Sequence, residues 1–523
     1  IDPDVEAAAA QDTRHGLSAR EIQKAVSEVK PSLVRIKVVE PSYYQGRESK
    51  HIAFGSGTII APEGYIVTNH HVAGKAVQLI CTMPDRTEIR AHLVGTDPAT
   101  DIAVIKLEPE EEREFPAASF GDSTTVQVGD PVMALGSPLS ISQSVTLGII
   151  SNIDMITPPS MRDWGYEFEL DGENVGQLVK WFGHDAAIYG GNSGGPLINL
   201  DGEIIGVNEI GMGLGGAIPG NLAKSVVKEI IKNEKVERAY LGFAIQPLLK
   251  SSPIQKGVLI SSIMVDGPAE AAGLQAGDIL LSVGGEEITG QFDEELPAIN
   301  NILASLAIGK EATMTVFRDG EEKEITVTPE EREAALLPTH ELKPWGMTAR
   351  NLSQWTKLDL ALEETKGILV VSTRSGGPAS KAKPEIRGKD VLLTVNGETI
   401  ETVKQLKEMT EEIVGDSEEF FPTLVEFQRD GEKFLTVVEV GIDKLQDPAA
   451  DVEKAWLPME TQVLTRDIAE QLGIPDEEGV RITRIYQDAP EDFPFEVGDI
   501  LTTFDEFPIE ASRPVDAEVF ETL

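Results

Sequence analysis

One short element occurs three times along the chain and limits its architecture more than any other feature. Gly277-Asp278-Ile279-Leu280-Leu281-Ser282-Val283-Gly284-Gly285-Glu286-Glu287-Ile288 recurs as Gly388-Lys389-Asp390-Val391-Leu392-Leu393-Thr394-Val395-Asn396-Gly397-Glu398-Thr399-Ile400, and more weakly as Gly498-Asp499-Ile500-Leu501 through Ile509. A small turn precedes each copy: Gly267-Pro268-Ala269, Gly377-Pro378-Ala379 and Asp488-Ala489-Pro490. Repetition at a fixed spacing marks tandem modules of one fold. The spacing predicts modules at residues 237–335 and 340–445, and a truncated or divergent third at 453–523. The region before residue 237 carries no copy and must fold by other rules.

That leading region reads in three parts. Residues 1–16 are Ala-rich and expected to be loose. Residues 17–30 place Ile22, Ala25, Val26 and Val29 at helical spacing, giving an N-terminal segment (1–32) with one short amphipathic helix. From residue 33 to about 236 the pattern becomes short β-rich runs such as Leu33-Val34-Arg35-Ile36-Lys37-Val38 and Tyr65-Ile66-Val67-Thr68, punctuated by turn residues. This predicts a mainly β fold, one barrel or a pair, closed by a helix over Lys224–Lys232.

Charge and cysteine usage exclude several function classes. The net charge is −43 over 523 residues. Residues 1–240 carry −13 and the remainder −30, spread rather than blocked. Such a surface repels nucleic acid and anionic lipid and favours solubility. The single cysteine, Cys81, rules out an intrachain disulfide and follows an apolar run, so it is expected in the core. No apolar run is long enough to span a bilayer, so no integral membrane segment is expected. The chain begins at Ile1 rather than Met, as after removal of a leader or trimming.

The chemistry is concentrated in Gly190-Gly191-Asn192-Ser193-Gly194-Gly195-Pro196-Leu197. Glycines on both sides let a tight turn expose a serine hydroxyl and let backbone N–H groups converge on one point. A serine nucleophile needs a base, and the base needs an orienting group. Upstream lie Thr68-Asn69-His70-His71-Val72 and Thr96-Asp97-Pro98-Ala99-Thr100-Asp101-Ile102. His, Asp and Ser then follow in the chymotrypsin order. His70 is a rival base and Asp97 a rival acid. If the histidines end a strand, alternation allows only one imidazole to face the site. An acid leading the apolar run 102–105 favours Asp101. Metal binding by His70, His71 and His92 is disfavoured because no His-Glu-x-x-His pair exists, and no cofactor is implied.

These motifs resemble trypsin-like proteases, and more closely the HtrA (Deg) family of protease–PDZ proteins. Gly55-Ser56-Gly57, Gly64-Tyr65-Ile66-Val67-Thr68-Asn69, Asp185-Ala186-Ala187-Ile188 and Gly216-Ala217-Ile218-Pro219 match that family's framework. The resemblance implies a chymotrypsin-like double β-barrel over 33–236 followed by α+β PDZ modules. It also implies His71 as base, Asp101 as its carboxylate, Ser193 as nucleophile, and the N–H groups of Gly191 and Ser193 as oxyanion hole. Two departures stand out. Asn192 occupies the place of trypsin's aspartate, so activation by a buried new N-terminus at Ile1 is not expected. Tyr189-Gly190 replaces a frequent Asn-Pro, which predicts an unusual resting shape for the oxyanion loop.

Ala187 stands where trypsin carries the aspartate that selects basic residues. With Ile188, Val207 and Ile210 it predicts an apolar pocket and cleavage after small or medium aliphatic residues. The segment 160–183 carries Trp164, Tyr166, Phe168, Trp181 and Phe182 and reads either as a substrate-responsive loop or as a packed insertion. Tyr240-Leu241-Gly242-Phe243 resembles the carboxylate-binding loop of PDZ domains, which accept a peptide C-terminus as an added edge strand. Trp345-Gly346-Met347 and Trp456-Leu457 are less typical. The resemblance further implies unfolded protein or peptide substrates, a homotrimer or a multiple of trimers, and a periplasmic or secreted location. The alternative reading is a proteolytically silent chaperone or scaffold.

Overall fold

A computed structural model describes residues 18–509 apart from 138–142, 158–167, 212, 249, 253, 361, 363–365, 416, 418, 442–456, 476, 487–488, 491 and 505–506. The expectations for residues 1–16, for Ile1, and for Trp164, Tyr166 and Trp456 lie outside the described residues. Helix Ala19–Val29 opens the described chain, its first turn closed by a Ser18–Glu21 capping box.

Two closed six-stranded barrels follow. The first joins Leu33–Tyr44, Arg47–Ile59, Tyr65–Thr68, Ile102–Glu108, Glu88–Asp97 and Gln78–Thr82 in that order round the sheet. Alternation drives it: Val34, Ile36 and Val38 point inward from one strand and meet Ile59, Ile66, Cys81, Ile105 and Leu107. The second joins Trp181–His184, Gly215–Pro219, Ile204–Gly211, Pro196–Ile198, Pro131–Gly136 and Ser144–Met155. A shared core of Val67, Ile102 and Val104 from one barrel and Trp181, Val207 and Ile218 from the other forms the seam. Helix Gly220–Asn233 closes the domain, longer than predicted, and packs Val226, Val227 and Ile230 into the same seam. Phe168 stacks edge-on against Trp181 at 6.2 Å, and Trp181 and Phe182 are buried, so the described part of the aromatic segment is packed insertion.

Two modules continue the same compact unit, which ends at Gly441. In the first, a sheet runs in the order Phe243–Gln246, Val258–Ile263, Ile279–Val283, Ala312–Arg318, Glu321–Val327. Strand Phe243–Gln246 is therefore an edge, with helix Leu296–Ala304 flanking the module. The second module repeats the plan with one difference: Thr339–Leu342 pairs along Met347–Arg350 and occupies the corresponding edge. The repeated Asp plays one structural part in both. Asp278 is clamped by Arg318, and Asp390 by Arg429, each a two-pronged, nearly buried pair. The tip of the first barrel's long hairpin reaches the second module, where Gly46 N–H donates to Ser372 Oγ at 2.9 Å.

Residues 442–523 form a separate unit. Its described part holds a three-stranded sheet of Met459–Val463, Val480–Ile485 and Ile500–Leu501, with helix Arg466–Leu472. Among the described residues no helix is long and apolar enough to cross a membrane.

Candidate active site

The three predicted residues are all carried at or beside the barrel seam. Strand Tyr65–Thr68 ends at Asn69, and the chain turns at once into the short helix His70–Ala73. The two adjacent histidines thus diverge by the roughly 100° step between successive helical residues, not by the strand alternation the sequence suggested. The His70 ring lies between Thr96 Oγ1 at 2.8 Å and Asp171 Oδ2 at 3.0 Å. The His71 ring meets Asp101, Nδ1 to Oδ2 at 2.7 Å, and its backbone N–H donates to Asp101 Oδ1 at 2.9 Å.

Asp101 is fully buried and takes φ +52°, a left-handed turn conformation that aspartate tolerates. Its carbonyl accepts from Asn69 Nδ2 and from His70 N–H, which locks the turn onto the histidine helix. The rival Asp97 is committed elsewhere: it forms a buried ion pair with Arg238. Burial lowers the affinity of the His71 ring for a proton, but the hydrogen bond and charge of Asp101 outweigh it, and the net pKa lies above the ordinary value of 6.5.

Ser193 sits in the turn between Trp181–His184 and Pro196–Ile198. Gly191 has φ +102° and Gly194 φ +80°. A Cβ at Gly194 would lie 2.2 Å from Ser56 O, so only glycine fits this close approach. Ser56 from the first barrel holds the turn: its hydroxyl donates to Gly191 O at 2.6 Å and accepts Ser137 N–H at 2.9 Å. Neither Gly191 N–H nor Ser193 N–H donates to an acceptor among the described residues. The Ser193 hydroxyl donates to the carbonyl of Glu209 at 3.2 Å, and no hydrogen bond joins it to His71 among the described residues. Asn192 is fully buried with its amide unpaired among the described residues, while Tyr189 is exposed.

The pocket residues separate. Ala187 is exposed, its carbonyl accepting from Thr146 Oγ1 at 2.9 Å. Ile188 is half-buried against the second barrel's core. Val207 is not a pocket residue: it is 1% exposed and packed between the barrels, because an inward-facing strand position at the seam is surrounded by core on every side. Ile210 lies on strand Ile204–Gly211, with its side chain outside the described set. Of the metal alternative, His92 pairs with Glu108, away from His70 and His71. One residue escaped the sequence reading altogether: Glu209, buried beside Asp101. Its signal was a polar pair, Asn208-Glu209, inside an otherwise apolar strand.

In the first module Tyr240 and Leu241 are buried, Gly242 takes φ +75°, and Gly242 O accepts Met264 N–H at 2.8 Å. The loop, the edge strand and helix Leu296–Ala304 line a cavity of about 1040 Å³, faced on its far side by residues 169–178 and by Trp355. Asn300 and Asn301 donate from that helix to the carbonyls of Gln177 and Leu178, tying groove to barrel.

Residues 55–207 match the trypsin-like peptidase domain family and residues 239–328 the PDZ domain family. A probable periplasmic serine endoprotease, DegP-like, of Chlamydia trachomatis is 32% identical over 385 residues, 69% of this chain and 71% of that protein. The chain belongs to the HtrA (DegP-like) family of serine endoproteases. A second HtrA relative, the DegP-like endoprotease of Halomonas elongata, is 34% identical over 72% of this chain and 77% of its own length. The HtrA-type protease AlgW solved with a tripeptide superposes with a TM-score of 0.51 at 30% identity, over 60% of this chain and 97% of that one.

Proposed function

We propose that this serine endoprotease degrades unfolded or misfolded proteins in periplasmic quality control, with Ser193 as nucleophile, His71 as general base and Asp101 as its orienting carboxylate. The observation that carries the reading is the two-point grip of Asp101 on His71, backbone and ring together, beside a glycine turn that presents a serine. In the reaction the Ser193 hydroxyl leaves the Glu209 carbonyl, gives its proton to His71 Nε2 and attacks the scissile carbonyl. The oxyanion forms against the N–H groups of Gly191 and Ser193. His71 then returns the proton to the leaving amine, and Asp101 stabilises the imidazolium in between.

Exposed Ala187 and half-buried Ile188 supply no charge, which supports cleavage after small or medium aliphatic residues. The open edge Phe243–Gln246 beside the Tyr240-Leu241-Gly242-Phe243 loop supports capture of peptide C-termini by the first module, and a homotrimer is the assembly proposed from the family. The test is turnover of unfolded casein with covalent labelling by a fluorophosphonate, in parent and Ser193→Ala. Cleavage and labelling in the parent and neither in the variant are expected. A parent that neither cleaves nor labels, yet suppresses aggregation as well as the variant does, would establish the silent chaperone instead.

A further inference from the structure

Strand Ile204–Gly211 places an acidic side chain where the barrel core would otherwise continue. Glu209 is 4% exposed. Its Oε2 accepts the indole N–H of Trp181, itself fully buried, while Oε1 receives no hydrogen bond among the described residues. The carboxyl lies within hydrogen-bonding reach of the Asp101 carboxyl. Two carboxyls in contact in a dry interior cannot both be ionised. Donors decide which keeps the proton. Asp101 receives two N–H groups from His71 and Glu209 only one from Trp181, so the anion belongs on Asp101. Each Asp101 oxygen retains a second lone pair for a further donor.

We propose that Glu209 is a positioning residue of the proteolytic site: a protonated carboxyl, anchored by Trp181, that donates a hydrogen bond to Asp101 and fixes it behind His71. The proposal rests on the assignment of His71 and Asp101 given above. Burial and the charge of Asp101 push the Glu209 carboxyl well above the usual range, in the same direction. Among the described residues the other groups facing it add no charge. Strand Trp181–His184 brings the indole, and burial pushes the pKa of its His184 down, away from the charged form. The flanking strands Pro196–Ile198 and Gly215–Pro219 contain no ionisable residue. Glu209 also touches the opposite end of the triad, since its carbonyl holds the Ser193 hydroxyl. A single residue thus contacts both acid and nucleophile.

The full chain, Glu209→Gln and Glu209→Leu are compared by fluorophosphonate labelling, thermal melting, and kcat and KM for a fluorogenic peptide between about pH 5 and 10. No labelling of the parent at Ser193 would sink the triad assignment and this proposal with it; labelling establishes an activated Ser193, and the variants then judge Glu209 alone. Glutamine replaces a neutral donor by a neutral donor. Its kcat is expected within about threefold of the parent, with the acidic limb of the profile in place. Leucine removes the donor, and kcat is expected to fall about tenfold or more with KM within about twofold. A glutamine variant whose acidic limb moves about one unit toward lower pH would show that an anion had been removed from beside His71. That result, or a leucine variant with parental kcat, would overturn the proposal. Should the leucine variant not fold, the acidic limb of the glutamine variant decides by itself.

Discussion

Replacing Ser56 by alanine should loosen the oxyanion turn and cost stability at once. The side chain is fully buried and joins three segments: it donates to Gly191 O, accepts Ser137 N–H, and belongs to the strand whose N–H donates to Ser193 O at 2.9 Å. Alanine keeps the backbone contact and removes the other two. Ser137 is 1% exposed, so its orphaned N–H costs about 1–3 kcal/mol, and the lost bond to Gly191 adds about 1. At about 2–4 °C per kcal/mol for a domain of this size, the midpoint should fall by roughly 5–15 °C. Gly191, at φ +102°, is then free to turn its peptide. Deleting a whole oxyanion donor costs about 10²–10³ in kcat, so loosening one should cost about 10–10². Calorimetry and turnover of a fluorogenic peptide read the two effects, with KM expected nearly constant. A variant melting within about 1 °C of the parent at unchanged kcat would refute the role given to this hydroxyl.

Three further outcomes follow from the same geometry. Activity should fall on acidification through a pKa above 6.5, since His71, the proposed base, must be neutral to act; the stability from the His71–Asp101 pair runs the other way, fully present below the unfolded value and lost as pH rises through the raised one, and parallel pH series of kcat/KM and melting temperature check both signs. Arg238→Ala strands Asp97, 4% exposed, and should destabilise the protein by about 3–5 kcal/mol in denaturant titration. Gly242→Ala forces a side chain into φ +75° and, at about 1–2 kcal/mol of strain, should weaken binding of a labelled apolar C-terminal peptide about five- to thirtyfold while leaving turnover of a small peptide unchanged.

The parts of the fold and site that could be read from sequence are those written locally. Turn glycines around Ser193, the short strand runs and the repeated Gly-Asp elements each declare themselves within a few residues. What could not be read is set by how distant segments meet. Val207 looks like a pocket residue in sequence, yet the seam closes over it from Val67, Ile102 and Trp181. Asn208-Glu209 stands out in an apolar strand, but whether its acid faces water or a second carboxyl depends on a turn about 110 residues upstream, so its role could not be read. The divergence of the two histidines depends on where strand gives way to helix, and element boundaries are the weakest part of any pattern reading.

The second module closes its own edge with Thr339–Leu342, whereas among the described residues no strand pairs along the corresponding outer edge of Phe243–Gln246 in the first. Within residues 1–441 the valence for added strands at these corresponding edges is therefore one, despite two copies of the fold. If that edge captures peptide tails as proposed, a client gripped there by two tails must be gripped by two chains. Avidity at the edge would then be set by the number of protomers in the proposed assembly and their spacing, and a monomeric mutant would lose it without losing a single contact.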